Sequence, residues 1–62
     1  MTPAERIREL RTAAKLSQEA AARQANISWA TWQRVEAGKG RPTVDTIQRI
    51  AAVLGVEPGT LI

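Results

Sequence analysis

Residues 17–38 read SQEAAARQANISWATWQRVEAG, and two helix starts lie inside this stretch. Ser17 and Ser28 are short hydroxyl residues of the kind that accepts a hydrogen bond from the free amides of a first helical turn. The helix opened by Ser17 carries Ala20, Ala21 and Ala22 and stops near Asn26, because Asn tolerates the left-handed backbone a tight turn requires. The helix opened by Ser28 runs to Ala37, with Gly38 as its stop. The segment is therefore a helix, a short turn around Asn26 and Ile27, and a second helix.

Working outward, Thr2, Pro3 and Glu5 form the start of an earlier helix: Thr2 caps, Pro3 suits the first helical position and Glu5 closes a capping box. Ile7, Leu10 and Ala14 then share a face. On the other side, Lys39, Gly40, Arg41 and Pro42 make a loop, Thr43 caps a fourth helix, and Gly55 ends it. Val44, Ile47, Ile50, Ala51 and Leu54 lie along one stripe of that helix. Pro58 starts a fifth turn that carries Leu61 inward. The expected fold is a compact all-α arrangement of four to five helices in one domain over residues 1–62. Its expected core is Ile7, Leu10, Leu16, Ala21, Ile27, Trp32, Val35, Val44, Ile47, Ile50, Leu54, Val56 and Leu61.

A chain of 62 residues buries only about 60% of its unfolded surface and has little volume for an enclosed active site. It contains no Cys and no His, which removes disulfides, thiolate chemistry, the usual zinc sites and the commonest general base. No metal, cofactor or small-molecule substrate is expected, and Ser17 and Ser28 have no His to activate them, so an enzyme is the poorest reading. The longest apolar run, Ile50–Val56, is far short of the roughly 20 residues a bilayer span needs, and no signal peptide is expected. The formal charge is +3. Residues 15–41 hold Lys15, Arg23, Arg34, Lys39 and Arg41 against Glu19 and Glu36, so the excess sits in the middle of the chain, where a polyanion would meet it.

The spacing of residues 17–37 is that of a helix-turn-helix, in which the second helix is presented to the DNA major groove. On a helical wheel Trp32 and Val35 point one way, and Trp29, Ala30, Gln33, Arg34 and Ala37 the other. Arg can donate twice to guanine, Gln can pair with adenine, and Ala leaves room for a base edge. That face contains no acid.

The motifs LSQ (16–18), IS (27–28), RVEAGKGRP (34–42) and IAAVLGV (50–56), in this order, make the chain resemble the lambda repressor-like, Cro/C1-type (XRE family) helix-turn-helix domain over about 50 of its 62 residues. The resemblance implies a five-helix domain that binds double-stranded operator DNA, normally as a homodimer on a near-palindrome and in some cases pairing only on the DNA. It also implies a transcriptional regulator, most often a repressor, in the cytoplasm of a bacterium or encoded by its phage and associated with the nucleoid. Residue by residue, it gives Trp29, Ala30, Gln33 and Arg34 to bases or flanking backbone. Gln18 is given to a phosphate and to bracing the reading helix, Ser28 to its cap, and Lys39 and Arg41 to a phosphate-contacting loop. Ser17, at the amide end of the preceding helix, and Ser28 join the phosphate set. Arg11 and Glu36 match a pair that bridges the first and third helices, and burial argues the same, since an unpaired carboxylate facing inward would be costly.

Three positions depart from the family pattern. Asn26 replaces a frequent Gly, which changes little. Ala21 stands where a larger aliphatic residue is usual and Trp32 where a smaller one is, so Trp32 is expected to be buried in the volume Ala21 leaves. Trp29 has two readings: a lid folded over Gln18 or the turn, or an apolar contact to thymine methyls or sugar-phosphate backbone. Val56, Pro58, Leu61 and Ile62 form the expected dimer patch. A protein-interaction module or an antitoxin-type regulator on the same fold is the competing function, because fold does not dictate function.

Overall fold

In the computed structural model, which describes residues 1–61, four hydroxyl side chains open the four α-helices. Thr2 accepts from the Glu5 amide (3.2 Å) and begins α1, Pro3–Ala13. Ser17 accepts from Ala20 (3.0 Å) and begins α2, Gln18–Ala25. Ser28 accepts from Thr31 (3.0 Å) and begins α3, Trp29–Glu36. Thr43 accepts from Thr46 (3.1 Å) and begins α4, Val44–Leu54. A 3₁₀ turn, Pro58–Leu61, follows. The capping box at Thr2 is complete, with the Thr2 amide donating to Glu5 Oε1 at 2.9 Å.

All four α-helices end through left-handed backbone. Asn26 (φ +58°) closes α2, as its side-chain type suggests, Gly38 (φ +71°) follows α3 and Gly55 closes α4. The fourth is Lys15 (φ +60°), just past α1, a residue with no special tolerance for that region. It is held there because the Lys15 amide donates to the Thr12 carbonyl (2.9 Å) and the Leu16 amide to the Arg11 carbonyl (3.2 Å).

Helices of 8 to 11 residues are marginal alone, so packing holds them. One cluster of buried residues joins Ile7 of α1, Ala21, Ala22 and Ala25 of α2, Trp32 and Val35 of α3, Ile47, Ile50 and Ala51 of α4, and Leu61 of the last turn. The small side chains of α2 let it approach α3 and α4 closely, and the fully buried Trp32 supplies the bulk. Leu10, Leu16, Ile27, Leu54 and Val56, expected in the core, are partly buried around it.

Two expectations are corrected. Val44 is 74% exposed. At about 100° per residue it lies about 70° from the centre of the Ile47, Ile50, Ala51 and Leu54 stripe, on the opening turn of α4. Leu61 is fully buried and cannot belong to an exposed dimer patch, while Val56 and Pro58 are half-buried and Ile62 lies outside the described residues. The buried set also includes Ala22, Ala25 and Ala51, which the expected core omitted. No helix among the described residues is long and apolar enough to cross a membrane.

The strained turn after α1 gives a direct test. Lys15→Gly removes a side chain from left-handed backbone, and the gain exceeds the added freedom of the unfolded glycine. Urea denaturation is expected to show stabilisation of about 0.5–1 kcal/mol.

Candidate nucleic-acid interface

The back of α3 is organised by Glu36, the one buried charged residue among those described, at 2% exposure. Arg11 of α1 grips its carboxylate with two groups, Nε to Oε2 at 2.5 Å and Nη2 to Oε1 at 3.1 Å. Gln18 of α2 donates from Nε2 to Oε1 at 3.0 Å, and the Trp32 indole N–H, one turn earlier on α3, donates to Oε2 at 2.5 Å. Arg11 is itself fixed by a third bond, Nη1 to the Leu16 carbonyl at 2.8 Å. Arg8 adds a long contact from outside, Nη2 to the Glu36 carbonyl at 3.4 Å. Burial alone would raise the Glu36 pKa, but the bonds from Arg11, Trp32 and Gln18 and the Arg11 charge outweigh it and hold the pKa below the usual 4.5. The buried carboxylate is thus ionised and neutralised in place.

The front of α3 is open. Trp29, Ala30, Gln33, Arg34 and Ala37 are exposed, while Trp32, Val35 and Glu36 are buried. Two consecutive features set the approach to that face. Gly38 (φ +71°) and Gly40 (φ +69°) hold the following loop in left-handed backbone, and a Cβ on Gly40 would stand 4.0 Å from Arg34 Cδ, so the loop backbone runs along the arginine stem. Arg34, Lys39, Arg41, Thr31, Thr43 and Thr46 line one furrow of about 190 Å³ between the end of α3 and the start of α4. Arg34, Lys39 and Arg41 make no ion pair among the described residues, whereas Arg8 and Arg11 face Glu36 and Arg49 faces Asp45. The furrow therefore presents three free cations around a helix start whose amides also attract anions.

The residues expected to act together separate into groups. Lys39 and Arg41 share the furrow with Arg34. Ser17 and Ser28 direct their side-chain oxygens to the amides of their own helices, and Ser28 Oγ also lies 2.7 Å from Thr31 Oγ1. Gln18 braces α3 through Glu36, which engages one of its two amide hydrogens and leaves the other. Trp29 is 49% exposed and borders a separate shallow depression with Ala22, Arg23, Ile27 and Glu19. Arg11 and Glu36 bridge α1 and α3 as expected from the sequence. Sequence reasoning missed the Trp32 and Gln18 bonds to Glu36, and also Thr31 and Thr46 in the furrow. The spacing of Trp32 and Glu36, four residues apart on an inward face, held the signal, since a buried indole N–H needs an acceptor.

Comparison with known proteins agrees with this geometry. Residues 4–62 match the model of a family described as "Helix-turn-helix domain". Among solved structures, the chain is similar to the restriction-modification controller protein C.AhdI from Aeromonas hydrophila. The two share 35% identity over 97% of this chain and 91% of that one, with a TM-score of 0.90. Comparison with curated proteins finds no match.

Replacing the carboxylate by an amide leaves one acceptor oxygen for four donors, turns an NH2 toward them and leaves the Arg11 charge unpaired, so Glu36→Gln is expected to cost about 3 kcal/mol in chemical denaturation, a large part of the stability of a small domain. The depressed pKa of Glu36 sets the sign of the pH dependence: its contribution is complete above about 4.5 and is lost as pH falls through the lower folded-state value. Denaturation midpoints measured from about pH 6 down to about pH 3 should fall for the native chain and fall less steeply for Glu36→Gln.

Proposed function

The chain belongs to the helix-turn-helix domain family, and on that footing we propose that it is a transcriptional regulator that binds double-stranded DNA sequence-specifically through the exposed face of α3. The observation that carries this reading is an acid-free outer face on a helix whose inner face is pinned, with the unpaired Arg34 continuing into a cationic furrow. The eight residues of α3 rise about 12 Å, close to the width of the major groove. Gln33 and Arg34 discriminate bases, Arg34 by paired donation to guanine and Gln33 by pairing with adenine. Ala30 allows close approach, and Trp29 lies beside it.

Lys39 and Arg41 contact phosphates and set register without reading sequence. The remaining amide hydrogen of Gln18 and the helix-start amides capped by Ser17 and Ser28 add to the same anion-binding rim. The similarity to a restriction-modification controller supports a regulatory rather than catalytic role. One α3 of this length spans only about four base pairs, too few to mark a genomic site, which favours two copies on a near-palindromic operator. The half-buried Val56 and Pro58 are the surface proposed for pairing. Occupancy of the operator is the means of control, so repression is the expected output, exerted in the cytoplasm at the nucleoid.

Selection from a random duplex pool, followed by fluorescence anisotropy at several salt concentrations, tests the assignment. Arg34→Ala is expected to lose about 1–3 kcal/mol on the selected site and to relax preference at one base pair. Lys39→Ala should weaken selected and random DNA alike and reduce the salt slope by about one. Equal losses on both DNAs for Arg34→Ala would remove it from base reading, and the absence of any salt-sensitive complex would sink the DNA-binding reading itself.

A further inference from the structure

Trp29 is the large apolar side chain on the exposed face of α3. The other indole, Trp32, is buried and hydrogen-bonded, whereas Trp29 stays 49% exposed and its N–H bonds to nothing among the described residues. Leaving that much indole in water has a hydrophobic cost that a contact made on binding recovers. The rest of the residue is covered, and Trp29 lines one shallow depression together with Ala22 of α2 and Ile27 of the turn. Glu19 and Arg23, one of each sign, border the same depression, and between them they supply no net charge to draw a phosphate onto the ring.

The outer face of α3 is therefore divided along its length. Gln33 and Arg34 form a hydrogen-bonding half, and Trp29 and Ala30 an apolar half. Five residues of helix separate Trp29 from Arg34, an axial distance of about 7.5 Å, or about two base-pair steps. Two steps from a base read through polar edges, the indole offers a single N–H donor but a broad apolar face, and the group a base pair shows in the major groove that suits that face is the methyl on C5 of thymine. 5-Methylcytosine carries the same group on the same atom.

Resting on the DNA-reading assignment above, we propose that Trp29 reads a pyrimidine 5-methyl group, so that affinity for the cognate site depends on C5 methylation at one position in each half-site. Thymine and 5-methylcytosine are favoured there over uracil and cytosine. The discrimination comes from the methyl alone, because thymine and uracil have identical hydrogen-bonding edges.

The test uses the full chain and duplexes carrying the selected site, with each thymine replaced in turn by deoxyuridine. At one thymine per half-site the replacement is expected to weaken binding about fourfold, the factor that burying one methyl supplies. Placing cytosine at that position and then 5-methylcytosine should recover the same factor. In Trp29→Ala both methyl effects should vanish while the Arg34-dependent base preference persists; Trp29→Gln serves equally should the alanine variant fold poorly. No thymine whose methyl matters, or a methyl effect undiminished in both variants, overturns the proposal. Either result leaves the DNA-binding assignment standing, since both are read on complexes that form.

Discussion

A carboxylate buried at the junction of three helices can be tolerated only if every lone pair it exposes is met. Glu36 meets that condition with two bonds from Arg11, one from Gln18 and one from Trp32. No buried side-chain polar atom among the described residues lacks a partner. An apolar cluster could hold α1, α2 and α3 together equally well, but apolar contacts are indifferent to small rotations. A carboxylate with four directed donors is not. If α3 turned about its axis, the bonds to Glu36 from Arg11 of α1 and Gln18 of α2 could not both survive, and the direction in which Gln33 and Arg34 project is set by that requirement.

The same helix thus separates two kinds of chemistry. Its inner side joins charge to hydrogen bonds in a dry setting, where each bond is strong because water cannot compete. Its outer side leaves donors unsatisfied and wet. The loop beyond α3 extends the outer side, because its backbone passes the Arg34 stem at Gly40 and it places Lys39 and Arg41 on the same furrow. Helix-start amides of α4, capped by Thr43, lie beside these cations rather than opposite them.

Much of this was legible in the residues. All four caps, the Asn26 and Gly55 stops, the inward turn at Leu61 and the division of α3 into two faces follow from local chemistry acting over three or four positions. The pairing of Arg11 with Glu36 was accessible through family resemblance and the cost of burying a lone charge. What was not legible depends on how closely elements approach. Ala22, Ala25 and Ala51 carry too little side chain to announce burial, and only the assembled helices reveal them. Val44 continues an apolar stripe that in three dimensions has nothing beyond its first turn to pack against. Lys15 adopts left-handed backbone because neighbouring carbonyls demand it, against its own preference. For Trp32, volume was the visible property, and its N–H became meaningful only with Glu36 beneath it.

The separation of α3 into a bonded back and an unbonded front has a consequence for how such a chain can change. Ala30, Gln33 and Ala37 have no side-chain partner in the interior, and Trp29 only rests against it. These positions are therefore interchangeable parts: a different set could be installed there, redirecting the molecule to another address, while the scaffold beneath continued to fold on its own terms.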